Sequence, residues 1–149
     1  MGTIGTRSFC FIYAGQSTWE NGARICAMNN AELPLPLNAQ EDADLYNYLK
    51  TNFNIKGAWL NAGSNNGKGV WYDSNGSELT YFNWNWDQPN GHKFGGQPFI
   101  HYNAAWNGKW GDHYSTLAEH IVCQKLPFGT TTQPPTTTKP AVGRKLNFI

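Results

Sequence analysis

Residues 83–92 read NWNWDQPNGH. Two indoles, an Asp, a Gln and a Pro-Asn pair share ten positions with almost no aliphatic side chain. Side-chain oxygens gathered around a proline suit a surface loop that holds something polar with a flat apolar face. The competing reading is a badly patterned piece of core. Flat rings serve either purpose, because an indole can bury its face and keep its N–H wet.

Other chemistries leave no comparable trace. The chain shows no nucleophile–base pair, no Gly-rich phosphate loop and no close carboxylate couple, so it is not read as an enzyme. Its 11 Lys and Arg are scattered and the net charge is only +1, which argues against nucleic acid. No apolar run reaches the roughly 18 residues of a membrane span. MGTIGTRSF lacks the apolar stretch of a signal peptide, so a secreted form is expected to be already processed. The four histidines, His92, His101, His113 and His120, would cluster on a metal only if their loops converge, and dispersed surface histidines are commoner.

The elements that must position such a loop can be read from local signals. Ser17-Thr18-Trp19-Glu20 has capping-box spacing, and Trp19, Ala23 and Cys26 then share one helix face. Gly22, inside that helix, is expected where something packs closely. In LPLPLNAQEDADLYNYLKTNF, Asn38 caps a second helix with Glu41 three residues on and a buried stripe of Leu45, Tyr48 and Leu49. From Ala58 to Cys123 helical periodicity is missing. That part is Gly- and Asn-rich, with strand-like pieces GVWYD, FIHY and EHIVCQK. DSNGSE reads as a hairpin turn, and Asn75-Gly76-Ser77 within it is an N-glycosylation sequon at an exposed place. This order predicts an α+β fold of two helices and small antiparallel sheets bearing long loops.

Three cysteines have no metal-type spacing, and an odd count suggests one bridge with a thiol left over. The most useful bridge, Cys26–Cys123, closes about 97 residues and would be worth about 4–5 kcal/mol in the chain-entropy model. The alternative is three reduced cysteines in a cytosolic core. Residues 130–140, TTTQPPTTTKP, cannot bury apolar area and carry the composition of an O-glycosylated extracellular stalk. The expected boundaries are a domain over 1–128 and an extended Thr/Pro tail or linker over 129–149.

Taken together and in order, these segments resemble the C-type lectin-like domain from about Ser8 to Lys125. SFCFIY is similar to the family's first strand, WENGARIC to its first helix and AELPLPLNAQEDADLYNYL to the start of its second. AWLNAG stands for Trp-Ile-Gly-Leu, VWYDSNG for Trp-x-Asp-Gly and GKWGDH for Trp-Asn-Asp. YFNWNWDQPN keeps the register Tyr-x-x-Trp-x-x-Gly-Glu-Pro-Asn, with Asp87 replacing Gly and Gln88 replacing Glu.

The resemblance implies a cis peptide before Pro89, turning Gln88 and Asn90 to one side. It also implies one Ca²⁺ held by Gln88, Asn90, Gln97, Gly111 and Asp112, a set with a single carboxylate and no side chain at 111. Ca²⁺ takes six to eight oxygens and is tuned by carboxylate number, so binding is expected to be weak or absent. Asp87 would add a second charge only after a rearrangement. Gln-Pro-Asn is a hybrid of the galactose-type and mannose-type motifs and assigns no sugar. Trp59, Trp71, Trp84 and Trp110 match framework positions, whereas Trp86, Phe94 and Trp106 fall in long loops beside the site. The family's second bridge would join positions 99 and 115, here Phe99 and Ser115. Cys10 is then left free or links two chains.

Two functions follow as expectations. One is a secreted, extracellular glycoprotein that binds glycans or glycoproteins through Gln88, Asn90, Asp112, Trp86, Trp106 and Phe94. The other is a structural or protein-interaction module that assembles with neighbouring subunits through the long loop, the tail or Cys10.

Overall fold

The structure, a computed structural model, describes residues 1–64, 69–91, 98–114 and 116–126. Phe94, Gln97, His92 and the Thr/Pro tail therefore lie outside the described residues. The chain order is β1 (Gly2–Ile4), β2 (Arg7–Ser17), α1 (Trp19–Met28), α2 (Ala39–Tyr48), a π-helical turn (Leu49–Phe53), β3 (Ala58–Gly63), β4 (Tyr72–Asp73), β5 (Phe99–Tyr102), β6 (Trp110–His113) and β7 (Glu119–Lys125). Two antiparallel sheets result, β1-β2-β7 and β4-β3-β5-β6. This is the expected α+β arrangement.

Local signals explain most of it. α1 starts at Thr18, whose hydroxyl accepts from the Asn21 N–H, rather than at the expected Ser17, because β2 runs through Ser17 and holds it in the sheet. Trp19, Gly22 and Cys26 form the buried face. Gly22 is required there: a Cβ would collide with Cδ1 of Ile121 on β7. α2 is capped by Asn38, which accepts from the Glu41 N–H at 2.9 Å, while Glu41 accepts from the Leu37 N–H at 2.8 Å. Glu41 also receives Arg7 on both carboxylate oxygens, which ties α2 to β2. The buried stripe of α2 is Asp42, Leu45 and Tyr46, continuing to Leu49. Tyr48, expected in that stripe, is half-buried against Phe11.

The core divides in two. Around the Cys26–Cys123 disulfide, Trp19, Leu33, Trp59, Phe99 and Ile121 pack together, with Trp19 stacked on Phe99 at 4.1 Å. The larger cluster holds Leu45, Leu60, Trp71, Ile100, Tyr102, Trp110 and Val122, with Trp84 half-buried against it. Three of the four framework tryptophans are thus fully interior, and Trp84 lies between Phe82 and Trp71 instead. The GVWYD strand is shorter than expected, because only Tyr72 and Asp73 pair with β3. Its turn forms as read: Asp73 Oδ1 accepts from the Asn75 and Ser77 N–H groups at 2.9 Å each, and Gly76 takes φ 85°.

Asp42 is a buried carboxylate of the larger core, 2 % exposed. Its carboxylate accepts from Tyr81 Oη, Asn83 Nδ2, Tyr102 Oη and Trp110 Nε1 at 2.6–3.2 Å. Four donors from three chain segments meet on one anion beneath β6, so the strand that carries Asp112 starts from a rigid base.

Candidate functional site

Residues 83–91 cross β6 and are hydrogen-bonded to it at two places. At the first, the Trp110 N–H donates to Asn83 O at 2.8 Å and the Asn85 N–H donates to Trp110 O at 2.9 Å. A turn follows in which the Gln88 N–H donates to Asn85 O at 2.9 Å, leaving Trp86 and Asp87 at its corners. The Gln88–Pro89 peptide is cis. The second place is Asp112. Its Oδ1 accepts from the Asn90 N–H at 2.9 Å and its Oδ2 from the Gly91 N–H at 2.8 Å. Gln88 Oε1 in turn accepts from the Asp112 N–H at 3.2 Å.

The turn at Pro89 and the strand ending near Asp112 therefore meet. Gln88, Asn90 and Asp112 come together, and the Asn90 side-chain amide has no hydrogen-bond partner among the described residues. Asp112 is 3 % exposed. Burial pushes its carboxyl above the usual carboxylate range, against the downward pull of the Asn90 and Gly91 N–H groups.

Two tryptophans belong to the loops that form this centre. Trp86 stands 90 % exposed at the corner of the turn, so it packs no core. Trp106 is half-buried. The loop joining β5 to β6 holds it: the Trp106 N–H donates to Asn103 O at 3.0 Å and the Lys109 N–H donates to Trp106 O at 3.1 Å. Asn107 and Gly108, both at positive φ, turn the chain back into β6. The Trp106 ring thereby lies on Gly111, in the space a Cβ at that position would enter. Asp87 is exposed.

Of the expected calcium ligands Gln97 lies outside the described residues, and the described ones fit an ion poorly. Both Asp112 oxygens and the Gln88 carbonyl are already engaged, Gly111 offers no side chain, and Trp106 covers the place where one would stand. Among the described residues no three His, Cys, Asp or Glu side chains group as metal ligands. His101 binds Glu119 at 2.8 Å, with His113 beside it, while His120 bonds Tyr13 on the other sheet.

Two contributors were not legible beforehand. The Gly91 N–H is a backbone donor, which no side-chain motif reports. The Trp106–Gly111 contact had a signal only in hindsight, a glycine where the motif carries Asn, with a Trp five residues upstream.

Comparison with known proteins agrees with this fold. A family model described as the lectin C-type domain matches residues 15–125, and the chain belongs to that family. Tetranectin from Homo sapiens is 28 % identical over 120 residues, covering 77 % of this chain and 58 % of tetranectin, so the chain spans little more than half of that relative. Among solved structures, human lithostathine superposes with a TM-score of 0.71 at 22 % identity, covering 85 % of this chain and 98 % of that one. The mouse scavenger receptor C-type lectin carbohydrate-recognition domain gives 0.67 at 16 % identity, covering 85 % and 92 %. At such identities the two structures establish the fold alone. The family is one of non-enzymatic binding modules.

Proposed function

We propose that this chain is an extracellular carbohydrate-binding module whose dependence on calcium is weakened or lost. The observation that carries the reading is one short turn that exposes the Trp86 ring and, four residues on, leaves the Asn90 side-chain amide without a hydrogen-bond partner among the described residues, its backbone N–H braced on Asp112. A pyranose presents a C–H face to an aromatic ring and hydroxyls to amides, and this turn carries both chemistries. Trp106 supplies a second ring, and Gln88 keeps its amide N–H₂ for a hydroxyl. Phe94 and Gln97 belong to the same reading by their position in the chain. The mouse structure's description as a carbohydrate-recognition domain is consistent with it.

An extracellular setting is supported by the Cys26–Cys123 disulfide, the exposed Asn75 sequon and the Thr/Pro composition of 129–149. Among the described residues no helix is long and apolar enough to cross a membrane. In this reading residues 1–128 are the binding domain, 129–149 a tether, and the free Cys10 a point of linkage between chains.

Glycan-array screening followed by calorimetry on the best sugar tests it, in Ca²⁺ and again in chelator. Binding that falls at least tenfold in Trp86→Ala and Asn90→Ala supports the proposal. Silence across the array in both buffers sinks it and leaves the protein-interaction module.

A further inference from the structure

Position 111 corresponds to a side-chain oxygen ligand in the motif this chain otherwise follows, and here it is glycine. The structure shows what replaces it. A Cβ on Gly111 would collide with Cζ3 of Trp106, and would lie 3.1 Å from that ring's Cη2 and 3.1 Å from Gln88 Oε1. The ring and the Gln88 amide together close the space.

Asp112 has been turned to other work. A carboxylate bound to two successive backbone N–H groups forms charge-assisted hydrogen bonds, about twice as strong as neutral ones. Each oxygen keeps a second lone pair, but only 3 % of the residue is exposed. Opening the loop forfeits both charge-assisted bonds.

We propose that the Pro89 loop is latched to β6 without a metal ion. Asp112 clasps the Asn90 and Gly91 amides, and Trp106, seated on Gly111, fills the vacated ligand position and presents a ring face in its place. The ligand surface is then preorganised in the apo protein and contacts its ligand directly. A sugar bound here meets amides and indoles and no ion. The inference uses the site of the sugar-binding reading, but its readout needs no sugar, so either can fail alone.

Amide hydrogen exchange and chemical shifts of Asn90, Gly91 and Asp112 in uniformly ¹⁵N-labelled protein provide the test. In millimolar Ca²⁺ and in chelator the three amides should be indistinguishable, with an unchanged Tm. Asp112→Asn should speed exchange at Asn90 and Gly91 about tenfold in either buffer. Shifts of these amides on adding Ca²⁺, with a rise in Tm, would overturn the latch, as would unaltered exchange in Asp112→Asn. Should that variant not fold, Gly111→Ser reads the other half. Its side chain should expel the Trp106 ring and move the ¹⁹F resonance of 5-fluorotryptophan at 106, assigned through Trp106→Phe. An unmoved resonance would refute the seat on Gly111.

Discussion

Two buried aspartates support this molecule in different ways. Asp42, on α2, is held by four side chains, Tyr81, Asn83, Tyr102 and Trp110. Asp112, on β6, is held by two backbone N–H groups of one loop. They are about equally covered, at 2 % and 3 % exposed. What differs is where the donors come from. The partners of Asp42 belong to the core and are fixed by packing on several sides. Those of Asp112 belong to the same loop that carries the exposed Trp86. The first aspartate joins elements; the second sets the shape of a binding edge. Equal burial therefore does not mean equal consequence when the group is lost.

Asp42→Ala has the largest expected effect. Four donors lose their acceptor at roughly 1–3 kcal/mol each, relieved in part by water, so a loss of about 3–5 kcal/mol is expected by urea unfolding. That is a large share of a typical domain's stability. A loss no greater than that of Asp112→Asn would break the contrast.

Alkaline pH attacks the same core next. Burial pushes the Tyr46, Tyr81 and Tyr102 phenols up, and Asp42 raises the latter two further. A phenol whose folded value lies above its unfolded value of about 10 stabilises the fold fully below that pH and loses the contribution as pH rises through the folded value. Of the seven tyrosines, these three should ionise late, and the fold should weaken above pH 10. Absorbance at the phenolate band read beside circular dichroism checks this. Complete ionisation in a protein that still shows native ellipticity would remove the premise.

Asp112→Asn comes third. One acceptor becomes a donor facing an N–H, for about 1–3 kcal/mol by urea unfolding, confined to the loop. Trp86→Ala is the smallest. An exposed ring should change stability by less than about 0.5 kcal/mol while, on the proposed function, lowering sugar affinity at least tenfold. A Trp86→Ala protein that melts several degrees lower would show that the ring is structural.

Some of this architecture was legible residue by residue. FIHY and EHIVCQK coincide with β5 and β7, because short β-branched and aromatic runs between turn residues have few other fates. The Asn38 cap and the demand for glycine at 22 were also readable, since capping is local and a glycine inside a helix is costly unless space requires it. β1 was not readable. A strand of three residues, Gly2–Ile4, has no pattern of its own and exists because β2 offers an edge. The one-residue shift of the α1 cap has a similar origin: Ser17 and Thr18 can both cap, and pairing of Ser17 with Glu119 decided between them. Tyr46 replaced Tyr48 in the buried stripe because α2 turns Asp42 inward, and the residue one turn on from Asp42 is Tyr46.

At the site the division is sharper. Residue types and order named Gln88, Asn90, Asp112, Trp86 and Trp106 as neighbours in purpose, because a motif read in register needs no coordinates. Which oxygen faces which partner was beyond it. Whether Asp112 points at an ion or at two backbone amides depends on distances of a few tenths of an ångström, set by how β6 sits on the Asp42 core. Whether Gly111 is an empty ligand position or a seat for Trp106 depends on where a loop five residues earlier turns back. Composition and spacing are properties of the chain and determined the family. Hydrogen-bond direction and ring placement belong to the packed whole, because a polar atom takes the partner that tertiary contacts bring within reach.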